Sequence, residues 1–273
     1  MQIVFAMTRY VYDSYTDFWK LVELSGFDTC YVDEIDIRKP KVYLTSPMNG
    51  ELPPHIYNQA GRVHNAHLVH WCLERPSGAG GLYQYGKSNR AKIYDRTLDD
   101  VWLSDRQMAI ETNFRFIPLG SDYGLGEPCK DKVYDIVHMS YITGRRGDAY
   151  GQFDPKLIGP NCWGKSRDYV LKHSRFALNI HQDQYPFQEP LRWALFAAYG
   201  LPMLTEEVKD AYPWHEDICI FNPYDGIADR MKQMLTNDYT RWWDMGMRAR
   251  DYMCKEFNFK KMVLQAVKES GIR

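Results

Sequence analysis

Short apolar runs alternate with longer amphipathic ones along most of the chain. Ile3–Met7 is an unbroken apolar run and reads as a strand. Tyr15–Leu24 carries Phe18, Trp19, Leu21, Val22 and Leu24 at roughly helical spacing. It stops at Gly26, a residue suited to the position just past a helix. Thr29–Val32, Lys41–Thr45 and Ala66–Leu73 read as further strands. Asp100–Ser104 and Phe114–Pro118 are two more, with a helical piece, Asp105–Glu111, between them. Strands and helices alternating at this spacing imply βαβ units and a largely parallel sheet.

A polar stretch, Gly120–Lys132, holds three Gly, a Pro and several charges and reads as a linker. A second series follows it. Asp135–Ser140, Arg175–Ile180, Leu201–Thr205 and Cys219–Phe221 read as strands. Glu189–Tyr199 is the clearest helix, with Pro190 at its first position and Gly200 just past its end. Gly226–Leu235 and Tyr239–Lys255 close the series as helices. The expected organisation is therefore two α/β halves, residues 1–125 and 126–255, and a C-terminal helical segment, 256–273, with the option of crossing back to the first half. No internal repeat of 20–50 residues is visible.

Composition narrows this picture without changing it. A chain of 273 residues accommodates one large domain or two small ones. Apolar residues at 45% and charged residues at 25% are typical of a folded globular protein, which excludes disorder and coiled coil as the main state. Lys+Arg number 34 against 35 Asp+Glu, and the pI is about 6.7. A chain that grips nucleic acid mainly through phosphates is usually basic, so only a local basic groove stays open. The 20 Tyr and 8 Trp suit either a Tyr-rich core or pockets that stack flat rings and sugars. The longest uncharged apolar run, Trp193–Thr205, falls short of the roughly 20 residues that span a bilayer. Met1-Gln2-Ile3-Val4-Phe5 lacks the basic start of a secretory signal. A cytoplasmic protein without a membrane span is expected. Cys30, Cys72, Cys129, Cys162, Cys219 and Cys254 include no C-x-x-C pair, so they read as reduced, mostly buried thiols rather than a zinc knuckle or redox dithiol.

Four constellations carry candidate chemistry. Gly144-Arg145-Arg146-Gly147 follows a strand directly. Ligands of open α/β sheets bind beyond the carboxyl ends of strands, and two guanidinium groups there match the oxygens of a diphosphate. The same four residues also fit a solvated turn. The second constellation runs from Asn179 to Glu206. It brings His181 and Gln182 at a strand end near Glu189 and Arg192 at a helix start, where N–H groups and the helix dipole favour phosphate. A carboxylate nearby, Glu189 or Glu206, would accept ribose hydroxyls. A structural histidine is the alternative for His181. The third is His64, His67 and His70, whose spacing puts no tight metal face on a strand or helix. The strand they share ends at Glu74, a candidate general base that also fits a surface salt bridge. The fourth is Leu119-Gly120-Ser121-Asp122, small residues that admit a ligand or simply form a turn.

Several motifs are missing. The first strand is followed by Thr8-Arg9 and not by G-x-G-x-x-G, so the dinucleotide fingerprint is absent. There is no G-x-x-x-x-G-K-[ST] and no G-x-S-x-G, which excludes a Walker ATPase and disfavours a hydrolase elbow. No D-x-D flanked by apolar strand residues is present to hold manganese.

Two segments carry a family resemblance. Ser174-Arg175-Phe176-Ala177-Leu178-Asn179-Ile180-His181, followed by Arg192 and Ala197-Ala198-Tyr199-Gly200-Leu201-Pro202-Met203-Leu204-Thr205-Glu206, resembles the donor half of group 1 glycosyltransferases. The likeness extends to the branch of spore-maturation-type glycosyltransferase-like proteins and to phage-type homologues. It is firm over residues 130–260, where Phe257-Asn258-Phe259 also fits, and looser over 1–125. There, Val101-Trp102-Leu103-Ser104-Asp105-Arg106 and Pro118–Asp122 look like the end of the acceptor half.

The resemblance implies the α/β GT-B fold: two Rossmann-like domains facing across a cleft, acceptor domain first and sugar-nucleotide domain second. It implies transfer of a sugar from a nucleoside-diphosphate sugar, with no metal and no cofactor beyond that co-substrate. The acceptor stays open between a glycan, a small molecule and a modified DNA base, and a non-catalytic nucleotide-sugar-binding protein is the competing reading. Gly144, Arg145, Arg146, Gln182, Glu189, Arg192 and Glu206 are the implied donor contacts. His181 is the candidate at the reacting end, and Asp122 and Glu74 are candidates for the acceptor proton. One departure stands out. Members often carry two glutamates eight positions apart, the second five residues before the helix-ending glycine; here those positions are Phe187 and Leu195.

Overall fold

The structure is a computed structural model of the 273-residue chain, and it describes residues 2–7, 9, 16–45, 65–73, 99–142, 144–159, 166–181 and 187–272. Cα packing divides the chain into two units: residues 1–15, 25–118 and 260–273 form one, and residues 16–24 and 119–259 the other. The first boundary thus falls at 118/119, where the sequence reading placed it at 125/126.

The first unit is built on a parallel sheet. Its strands are β1 (Gln2–Met7), β2 (Asp28–Tyr31), β3 (Lys41–Thr45), β4 (His67–Cys72), β5 (Asp100–Leu103) and β6 (Arg115–Phe116). They lie in the order β2-β1-β3-β4-β5-β6, every described pair parallel. Such sheets are covered on both faces, which is why β3 and β4 read as nearly continuous apolar runs. Val4, Ala6, Ile35, Ile37, Tyr43, Ala66 and Leu68 fill one side of it. A buried polar relay ties β4 to the end of β5. Trp71 Nε1 donates to Ser104 Oγ at 2.8 Å, and Ser104 Oγ donates to the Ile117 carbonyl at 2.9 Å. Helix α2 (Arg106–Thr112) starts at Asp105, whose carboxylate accepts the Met108 N–H at 2.8 Å.

His67 and His70 lie on β4, and His70 Nδ1 is 2.9 Å from Thr45 Oγ1 on β3. Burial pushes the His70 imidazole down to about 4. Both histidines are thus accounted for by the sheet; His64 and Glu74 lie outside the described residues.

The second unit has a four-stranded parallel sheet in the order β10-β9-β8-β7. The strands are β7 (Tyr134–Val137), β8 (Ser174–Asn179), β9 (Met203–Glu206) and β10 (Ile220–Asn222). Its helices are α1 (Thr16–Leu24), α3 (Arg145–Tyr150), α4 (Arg167–Lys172), α5 (Pro190–Ala198), α6 (Ile227–Thr236) and α7 (Tyr239–Lys255). Helix α8 (Phe259–Glu269) begins at the boundary and continues in the first unit, where Ser270 Oγ donates to Asp100 Oδ2 at 2.9 Å. Ile136, Phe176, Leu178, Leu204, Met231 and Trp242 belong to the second core.

Helix α5 is the buried centre of this unit. Pro190, Trp193, Ala194, Leu195, Phe196, Ala197 and Ala198 are all buried, as expected of a helix whose one charged residue is Arg192. It packs on α7 through two glycines. Gly200 has φ +63°, a conformation that favours glycine. A Cβ on Gly246 would come within 2.1 Å of the Gly200 carbonyl oxygen. Helix α1 joins this unit through a buried ion pair between Asp17 and Arg167 of α4. Burial pushes the Asp17 carboxyl up, against the pull of Arg167.

Cys72, Cys219 and Cys254 are buried thiols, whereas Cys30 and Cys129 are partly exposed; all five are unbridged. Among the described residues no helix is long and apolar enough to cross a membrane.

Candidate functional site

The strands of the second sheet run parallel, so their carboxyl ends share one edge. His138 follows β7, His181 lies two residues past β8, Glu206 ends β9, and Tyr224 lies two residues past β10. Helices α3 and α5 begin at the same edge and supply Arg145, Arg146, Glu189 and Arg192.

Arg145 and Glu206 form a two-pronged ion pair. Arg145 Nη1 donates to Glu206 Oε2 at 2.6 Å and Nη2 donates to Oε1. Such fork-to-fork pairs are the strongest geometry a guanidinium offers. The Arg145 guanidinium carbon lies 3.7 Å from the centre of the Tyr224 ring, and Tyr224 Oη donates to the Arg145 carbonyl at 2.8 Å. Glu206 also accepts the His181 backbone N–H at 3.1 Å. The three elements that follow β7, β8 and β10 are thereby tied to the end of β9.

Arg146 behaves differently from its neighbour. Its side chain is 4% exposed, Nε donates to the Ile180 carbonyl at 2.7 Å, and Nη2 donates to Glu189 Oε1 at 3.0 Å. Arg192, one turn along α5, holds Glu189 Oε2 at 2.6 Å and donates to Asn179 Oδ1 at 2.6 Å. Burial disfavours the Glu189 charge, but Arg192, Arg146 and His181 outweigh it and keep the carboxyl below its usual range. Among the described residues named here, three arginines face two glutamates.

Burial favours the neutral form of both histidines. Burial lowers His181, opposed by Glu189 and Glu206 and aided by Arg192 and Arg145. His181 is 3% exposed, its Nδ1 lies 3.9 Å from Glu189 Oε2, and its Nε2 is buried with no hydrogen-bond partner among the described residues. Burial holds His138 at about 4 against a hydrogen bond with the Ser140 backbone, with Arg192 and Arg146 adding to the depression. Its ring packs 4.6 Å from that of Tyr150, and its Nδ1 is likewise buried without a partner among the described residues. The sequence reading missed His138. A histidine at the tip of an apolar strand, seven residues before two arginines, was the signal available.

A stability consequence follows from His138. Its folded value lies below the unfolded 6.5, so the unfolded chain binds the extra proton first and stability falls with acid. Between pH 7 and pH 4.5 this group alone is expected to cost about 2–3 kcal/mol. Urea midpoints at the two pH values should differ by correspondingly less in His138→Phe than in the wild type.

The structure thus brings together Arg145, Arg146, His181, Glu189, Arg192 and Glu206. Gly144 precedes α3 with φ +50°, the left-handed region that favours glycine. Gln182, like Glu74, lies outside the described residues. Asp122 is engaged elsewhere. It sits in a turn and not at a strand end: Oδ1 accepts the Gly124 N–H at 2.8 Å and Oδ2 accepts Asn258 Nδ2 at 3.1 Å. Its unit is the second one, whereas the sequence reading had put it in the first. Leu195 is 1% exposed within α5. Among the described residues no group of three His, Cys, Asp or Glu side chains is arranged to hold a metal ion.

Several solved structures share this architecture. HepE from Anabaena, solved with UDP-glucose, superposes with a TM-score of 0.63 at 11% identity, covering 99% of each chain. AviGT4, a glycosyltransferase involved in avilamycin A biosynthesis, gives 0.57 at 9% identity over 99% of this chain and 97% of its own. TarM gives 0.59 at 12% identity, and the match takes in 93% of this chain but 57% of TarM. No curated protein sequence matches the chain. The fold is therefore GT-B, and residues 141–268, which carry the whole arginine–glutamate network, match the family described as glycosyl transferase-like.

Proposed function

We propose that the chain is a glycosyltransferase that takes its sugar from a nucleoside-diphosphate sugar held at the carboxyl edge of the second sheet. The observation that carries this reading is the network of Arg145, Arg146 and Arg192 around two carboxylates, with His181 Nε2, which has no partner among the described residues, beside it. Cationic groups fixed at a strand edge suit a diphosphate, and a preset donor aimed at the leaving phosphate lowers the barrier to breaking the glycosidic bond. The match of residues 141–268 to a glycosyl transferase-like family supports the same reading.

The roles divide by geometry. Arg145 meets the diphosphate through the edge now paired with Glu206. Arg146 and Arg192 are positioning residues that fix Glu189 at the start of α5. His181 contacts the β-phosphate or a sugar hydroxyl through Nε2. With both carboxylate oxygens of Asp122 already bonded, it is a poor acceptor base, and Glu74 keeps that assignment as a proposal from sequence alone. Charge neutralisation by arginine makes the reaction metal-independent in this account. The acceptor is a glycan, a small molecule or a modified DNA base.

The test is release of nucleoside diphosphate from a panel of sugar nucleotides, with and without EDTA. Turnover on one donor is expected, unchanged by EDTA, and His181→Ala should lower kcat about a hundredfold with little change in nucleotide affinity. Full kcat in His181→Ala, or activity that EDTA abolishes and manganese restores, would count against these roles. One observation favours a second reading, a binding protein without turnover: Leu195 occupies the place of a family glutamate and is buried in α5. That reading expects nucleotide binding with no release from any donor.

A further inference from the structure

The Arg145 guanidinium is held on three sides. The Tyr224 ring lies against its face at 3.7 Å, Tyr224 Oη fixes its backbone carbonyl, and both terminal nitrogens are aimed at the Glu206 carboxylate. A carboxylate and a phosphate present the same chemistry to this edge: two oxygens in a plane, carrying negative charge. Glu206 has a second tether, the His181 N–H at 3.1 Å, and Arg145 Nη1 also reaches the His181 carbonyl at 3.5 Å. The side chains of Arg145 and Glu206 are 18% and 11% exposed, so the pair is shielded without being sealed.

We propose that Glu206 is a resident anion that occupies the diphosphate position on Arg145, and that a ligand enters by exchanging with it. This rests on the donor-site reading above. The incoming diphosphate takes the Nη1–Nη2 edge; Glu206 gives up that edge and stays tied to the His181 N–H. No bond other than hydrogen bonds forms or breaks. The exchange has a consequence for selectivity. A bare diphosphate must displace Glu206 and gains nothing from the freed carboxylate. A nucleoside diphosphate brings hydroxyl donors that the freed carboxylate accepts. Glu206 thus discriminates against inorganic pyrophosphate in favour of nucleotides.

The sign of one change tests this. Glu206→Gln keeps the side-chain size and an oxygen for the His181 N–H but removes the competing charge. Calorimetry with inorganic pyrophosphate is expected to show about tenfold tighter binding to Glu206→Gln than to the wild type. UDP or GDP should gain less than pyrophosphate, or lose affinity. In an Arg145→Ala background the same substitution should give no gain, because the exchange acts through Arg145. If Glu206 only holds Arg145 in place, Glu206→Gln will weaken or leave unchanged the binding of pyrophosphate, and the proposal fails. A gain that persists without Arg145 also overturns it. Nucleotide binding that is intact in the wild type leaves the donor-site reading standing in either case. If wild type and variant bind neither UDP, GDP nor pyrophosphate, the donor-site reading itself is wrong and the proposal falls with it.

Discussion

Arg145→Ala is expected to weaken nucleoside diphosphate binding by roughly ten- to hundredfold while leaving the fold intact. Loss of a charge-assisted hydrogen bond costs about 1.5–3 kcal/mol, and each 1.4 kcal/mol is about a factor of ten in affinity. Arg145 is partly exposed and its loss frees Glu206, which keeps its bond from the His181 N–H. Arg146→Ala should act on stability instead. Its guanidinium is buried on the Ile180 carbonyl and Glu189, so removing it leaves a carboxylate short of a partner. The cost is about 3 kcal/mol, at the low end for a broken buried pair because Arg192 still faces Glu189. Calorimetry and thermal melts on the two single variants separate these effects. Equal affinity in Arg145→Ala and the wild type would remove Arg145 from the site.

The second large effect lies away from the site. Arg167→Leu leaves Asp17 buried without its cation, and breaking a buried pair from one side costs about 3–5 kcal/mol. That corresponds to a fall of about 10 °C in the melting temperature for a unit of this size. Replacing both partners by leucine should recover much of the loss, since a well-packed apolar pair is often as stable as a buried ion pair. The Asp17 side chain is 9% exposed, so solvent offers it little compensation. A melting temperature unchanged in Arg167→Leu would show that the pair does not anchor α1.

The elements set by local pattern were legible in the sequence. Glu189–Tyr199 read as the clearest helix, and Pro190 and Gly200 marked its ends; the helix is found over Pro190–Ala198. The apolar runs of β1, β3, β4 and β8 announced a parallel sheet for the same reason. What depends on distant partners was not legible. The reading placed a helix over 15–24, yet that helix belongs to the second unit because Asp17 meets a residue 150 positions later. Arg145 and Arg146 looked equivalent as a dipeptide. Successive residues of a helix point about a quarter-turn apart, so α3 sends one to Glu206 and buries the other on Glu189. Asp122 looked like a free strand-tip carboxylate because its partner, Asn258, lies 136 residues away. The short helices 145–150 and 167–172 carry too few turns for a periodic signal and were read as turn or left unassigned.

The central claim is that the carboxyl edge of the second sheet is the donor site. A crystal structure of the protein with UDP or GDP tests it most directly. The diphosphate is expected within hydrogen-bonding distance of the Arg145 guanidinium, with His181 Nε2 facing the β-phosphate side and Glu206 moved off the Nη edge. A nucleotide bound away from these residues, or Arg145 still paired with Glu206 beside a fully occupied nucleotide, would contradict the account.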